Sequence, residues 1–72
     1  MNHQEIIKLQ LFLQKKFGNR SIDVRPRPRK DDSCEVYLGD EFIGVIYLDD
    51  EDGDRSFMLQ IAILDVDLED VN

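Results

Sequence analysis

Three arginines at alternate positions are the first residues in this sequence that could do chemistry. Arg25, Arg27 and Arg29 are followed by Lys30, with Arg20 and Lys16 close by. On an extended segment that spacing projects three guanidinium forks from one face, a geometry suited to phosphates or to a partner's carboxylates. The competing reading pairs them with acids on neighbouring strands, where they solubilise a sheet edge. The chain carries a formal net charge of -7 and a pI near 4.4. It has no aromatic residue between Phe17 and Tyr37 on which a base could stack. Nucleic acid is therefore disfavoured as a partner, and anion binding through the three arginines stands as the alternative to a protein-binding role.

The acidic run Asp49, Asp50, Glu51, Asp52 and Asp54 invites a calcium reading, because hard cations take clustered carboxylate oxygens. Its spacing argues against that. Setting Gly53 at the glycine of a helix-loop-helix calcium loop puts Leu48 and Leu59 where the first and last carboxylates belong. A solvated hairpin turn is the expected role. Cys34 and His3 are the sole cysteine and histidine, so neither a disulfide nor a sulfur and imidazole zinc site can form within one chain. Cys34 alternates with Val36 and Leu38 and reads as a small buried hydrophobe rather than a nucleophile. Tyr37 and Tyr47 have no histidine or lysine around them and read as strand formers. No metal, no cofactor and no catalytic set is expected.

The elements that position these residues follow from periodicity. Asn2 followed by Glu5 is a variant of the capping box and starts a helix near residue 3. Ile6, Leu9, Leu13 and Phe17 fall within about 80° of one another and form its core-facing stripe. Lys15, Lys16 and Gly18 end it. Ile7 and Leu11 make a second apolar pair on the flank. From Ser21 the period drops to two. Ile22 and Val24 open a first strand, which Pro26 and Pro28 confine to a sheet edge because both lose their donors on the same side. Asp31–Ser33 read as a turn, Cys34–Leu38 as a second strand and Gly39-Asp40 as a hairpin. The third strand, Glu41 to about Leu48, is apolar on both faces: Phe42, Ile46 and Leu48 on one, Ile43, Val45 and Tyr47 on the other. Gly44 inside it suggests a bulge, or a close approach by the helix. Ser56–Leu64 forms the fourth strand, and an acidic tail from about residue 66 is a short extension or one helical turn.

With these segments in place, EIIKLQ, IDVRPRPRKDDSCEVYLGDEFIGVIY and EDGDRSFMLQIAILDVDLE resemble a domain-of-unknown-function family of short bacterial proteins, chiefly alphaproteobacterial. The likeness covers nearly the whole chain and implies a cytosolic bacterial setting. It assigns no role to any residue.

A chain of 72 residues supports one core, burying only about 60% of the surface its unfolded form exposes. The expected architecture is a single small α+β domain over 1–72, an N-terminal helix packed on one face of a four-stranded antiparallel meander sheet. No stretch approaches the roughly 20 apolar residues of a membrane span, no signal peptide is visible, and the lone cysteine fits a reducing compartment, the cytoplasm. Charge is split along the chain. Residues 1–30 hold eight basic against two acidic groups, net +6, and residues 31–72 hold one against fourteen, net -13. One helix can shelter only one sheet face, so Tyr37, Ile43, Val45, Tyr47 and Met58 are expected on an uncovered one. The fourth strand is an apolar edge without proline or lysine. The sequence thus points to a non-catalytic interaction module, a homodimer or a docking unit for another protein, working through the open sheet face and the last strand.

Overall fold

Asn2 caps the first helix, α1 (His3–Phe17), in the computed structural model, which describes residues 1–51 and 53–71. The Glu5 amide donates to Asn2 Oδ1 at 2.8 Å, and the Asn2 amide donates to Glu5 Oε1 at 3.3 Å, so two orphan donors of the first turn are satisfied reciprocally. At the other end Gly18 adopts φ 60°, the left-handed conformation that a side chain disfavours. The amides of Gly18 and Asn19 return to the carbonyls of Lys15 and Gln14. Four strands follow: β1 (Ile22–Arg27), β2 (Lys30–Leu38), β3 (Glu41–Asp49) and β4 (Ser56–Ile61). They pair antiparallel in chain order, and a short helix, α2 (Asp65–Glu69), ends the described chain. This is the α+β meander with an N-terminal helix that the sequence implies.

Three local features refine the sequence reading: two boundaries differ from it, and the bulge that Gly44 suggests is present. The first hairpin turns at Pro28-Arg29, between the paired residues Arg27 and Lys30, and not at Asp31–Ser33. Arg29 takes φ 69° behind a proline, the dihedral pattern of a type II turn without its usual glycine. Asp31–Ser33 belong to β2, but they loop out of its ladder with β1, because the register jumps from Pro26 and Cys34 to Arg27 and Lys30. Second, β3 is bulged. Val36 pairs with Gly44 while the next residue, Tyr37, pairs with Phe42, leaving Ile43 extra. Third, β4 stops at Ile61 rather than Leu64.

The core is small and off-centre. Its buried apolar members are Ile6 and Leu13 from α1, Ile22 and Val24 from β1, Cys34 and Val36 from β2, and Ile46 from β3, with Leu9, Ile43, Phe57 and Leu59 half-buried against them. No buried member comes from β4. The reason lies in where α1 sits, which is over β1. Gln10 Oε1 accepts from the Val24 amide at 2.9 Å, and Gln14 Nε2 donates to the Ile22 carbonyl at 2.9 Å. These bonds hold the helix at the β1 side of the sheet. A helix about 10 Å across cannot also cover strands that are about 4.8 Å apart and four in number. Phe17, assigned by its spacing to the core stripe, is accordingly 59% exposed.

Candidate functional site

The displaced helix leaves an apolar groove on its own side of the sheet. Leu9, Phe12 and Leu13 form one wall, Phe57 and Leu59 of β4 the other, and Ile46 the floor of a depression of about 290 Å³. A second depression continues it toward the end of α1, between Phe17, Ile43 and Ile61. Phe12 is 61% exposed, and the two turns around it carry Lys8, Lys15 and Lys16 at the three- and four-residue spacings of helical neighbours. The periodicity of the main stripe does not include Phe12. What could have revealed the groove is the width of one helix against four strands.

The two sheet edges differ. At β1 strand addition is blocked at three positions: the Val24 amide is taken by Gln10, the Ile22 carbonyl by Gln14, and Pro26 has no amide to offer. At β4 no described element lies outside the strand, and its residues carry neither proline nor charge. β4 is a template for strand addition, whereas β1 is closed.

On the face away from α1, cross-strand pairing places Tyr37, Val45, Tyr47 and Met58 together, with Tyr47 opposite Met58. Ile43 does not join them. The bulge turns it to the helix side, where it packs against the core, and brings Phe42 into its place. Phe42 meets the Tyr37 ring edge-on, with centroids 5.6 Å apart. Over β1 and β2 the same face is polar. Arg25 Nε bonds Asp23 Oδ2 at 2.8 Å, and its guanidinium lies 3.8 Å from the Tyr37 ring centroid. The Tyr37 hydroxyl donates to Glu35 at 3.2 Å. The apolar surface therefore follows β3 and β4 on both faces instead of filling one face.

The three arginines do not form the row that their spacing suggests. Arg25 is held by Asp23, Arg27 Nη1 donates to the buried Ser33 hydroxyl at 3.0 Å, and Arg29 is in the turn. Alternation fails because β1 ends at Arg27. In the acidic turn the Glu51 amide donates to Asp49 Oδ1 at 3.3 Å and the Gly53 amide to the Asp50 carbonyl; Asp52 lies outside the described residues. Among the described residues no three of His, Cys, Asp and Glu come close enough to share a metal ion, and no helix is long and apolar enough to cross a membrane. Cys34 is fully buried, and burial pushes its thiol above the ordinary range, so it remains protonated at neutral pH.

Glu5 joins the start of α1 to the loop before β4. Arg55 Nη1 bonds Glu5 Oε2 at 2.6 Å, and the Arg55 guanidinium lies 5.6 Å from the Phe57 ring centroid. The Arg55 hydrogen bond, then that from the Asn2 amide, holds the Glu5 carboxyl below its usual range.

No curated protein and no solved structure matches the chain. A family model described as "Protein of unknown function (DUF3126)" matches residues 5–67, from the capping glutamate through the helix, all four strands and the start of α2. The groove and the β4 edge thus lie within the matched span, and the chain belongs to that family.

Proposed function

We propose that the protein is a small non-catalytic interaction module that associates with itself through β4 and the apolar surface on its two sides. The observation that carries this reading is the contrast between the edges: β1 is closed by two glutamine side chains and a proline, while β4 is open and flanked by exposed Tyr47, Met58 and Phe12. A core of seven buried apolar residues among those described is small for independent stability, and association supplies further burial. A non-catalytic role is supported by the one thiol being buried and protonated, and by arginines that are engaged with Asp23 and Ser33. A buried reduced thiol also suits a cytoplasmic setting.

Sedimentation velocity at micromolar concentration tests the reading. The chain is expected to sediment as a dimer. Met58→Lys, which puts a charge on an exposed position of β4, is expected to weaken the dimer by about tenfold or more while leaving the circular dichroism unchanged. A wild-type chain that stays monomeric throughout would overturn it.

A further inference from the structure

The C-terminal segment adds no side chain to the core: Ala62, Ile63 and Leu64 only border an open depression beside Phe42 and Ile43 of β3, and the residues beyond them line no part of the core. Every residue from Ala62 to Val71 is exposed, with Ile63 at 70% and Leu68 at 60%. The molecule extends 43 Å along one axis against 24 Å along the others, and its radius of gyration of 13.4 Å exceeds the roughly 11 Å of a compact chain this long. The segment's pattern is nonetheless ordered. α2 itself spans only Asp65–Glu69, but the sequence places Leu64, Leu68 and Val71 at the four-then-three spacing that would share one face if the helix extended by a residue or two at each end, with Asp65 and Glu69 on one side of it and Asp67 and Asp70 on the other.

We propose that in the dimer the arm Ala62–Val71 of one copy lies in the groove between α1 and β4 of the second copy, and reciprocally. The inference rests on the self-association reading and names what fills its groove. Charge complementarity is the first argument: an apolar stripe bordered by four acids meets an apolar groove lined by Lys8, whose one acid, Glu5, is already paired with Arg55, and Lys15 and Lys16 follow Phe12 on the same helix. Continuity is the second. Antiparallel pairing of β4 with its two-fold copy sets Ile61 of one chain near the Ser56 end of the other. The chain that continues from Ile61 then passes the partner's Ser56 and emerges beside the partner's Arg55, next to Phe57, the residue that lines the groove together with Leu9 and Phe12. Strand pairing thus delivers the arm to the groove mouth.

A mixing experiment tests this by sedimentation equilibrium. One variant carries Lys8→Glu, Lys15→Glu and Lys16→Glu; the other carries Asp65→Lys, Asp67→Lys and Glu69→Lys. All six positions are exposed, so both chains are expected to keep the wild-type sheet, with circular dichroism changed only by fraying at the ends of α1 and α2, where Lys15, Lys16 and the Asp67 bond from the Leu64 amide are lost. Each variant alone faces like charges across the groove and is expected to dimerise on the order of tenfold more weakly than wild type. Mixed in equal amounts, the two are expected to recover the wild-type affinity, because each arm then finds an oppositely charged groove on its partner. A wild-type dimer with variants that are not weakened, or that are not rescued by mixing, overturns the arm's placement and leaves self-association standing. Rescue absent on mixing but present when both triple changes are put in one chain marks an arm bound to its own groove and also overturns it. A wild-type monomer overturns both readings.

Discussion

Gly44 lies directly under the backbone of β4. A Cβ at that position would meet the Gln60 carbonyl oxygen at 2.5 Å and Ile61 Cγ1 at 3.1 Å. Its dihedral angles are not the constraint, since its φ is not among the positive values of the chain. The obstacle is a backbone atom of the neighbouring strand, which cannot swing aside as a side chain would. Gly44→Ala is therefore expected to separate β3 from β4 and to destabilise by roughly 1–3 kcal/mol. Thermal unfolding should show this as a fall of about 4–8 °C for each kcal/mol. Glu5 makes a prediction of a different kind. Its carboxyl is held low in the folded chain by Arg55 and then by the Asn2 amide. A group whose folded value is depressed stabilises above its unfolded value, and that contribution is lost as pH falls through the folded one. Denaturation midpoints taken from neutral pH to below the ordinary glutamate value of about 4.3 should fall for wild type. With Glu5→Gln the midpoint at neutral pH should be lower and the fall on acidification shallower.

At the scale of elements, the closure of β1 by α1 is what decides which edge stays open. Gln10→Ala leaves the outward Val24 amide without its partner, and Gln14→Ala does the same to the Ile22 carbonyl. Each is expected to destabilise by about 1 kcal/mol, in line with one lost hydrogen bond at a half-buried site. The double variant should also loosen α1 from β1, which hydrogen exchange at the Val24 amide would register as loss of protection. The elements themselves were legible because each is specified by adjacent residues. The capping box at Asn2 and Glu5, the glycine after Phe17, and the change of period at Ser21 give helix and strands with no tertiary information. Pro26 likewise marked β1 as an edge. What stayed hidden depends on distant chain. A positive φ at Arg29 has no glycine to announce it. Gly44 signalled the bulge, but only pairing with β2 shows that the extra residue is Ile43, which exchanges Ile43 and Phe42 between the faces. The arginine row failed for the same reason, since alternation holds only as far as the strand does, and β1 ends at Arg27.

The whole molecule combines a small core, an open edge, a bare groove and an unpacked acidic arm, and these have a joint consequence for stability. Residues 1–30, net +6, supply α1 and the lysines around Phe12, while residues 31–72, net -13, supply β4 and the arm, so the sequence dipole runs between the two surfaces that the dimer would bring together. If the apolar groups along β4 and the groove are covered only on association, part of the folding free energy is association free energy, and unfolding must depend on protein concentration. For one copy binding another, each hundredfold excess over the dissociation constant contributes about 2.7 kcal/mol to the folded side. Thermal midpoints followed by circular dichroism over a hundredfold range of concentration should therefore rise by several degrees. Removal of residues 62–72 should leave the same sheet signal with a smaller rise, because the β4 edge remains while the groove loses its occupant. A midpoint independent of concentration would mean that seven buried apolar residues hold the fold alone, and that the exposed groups along β4 contribute nothing to its stability in solution.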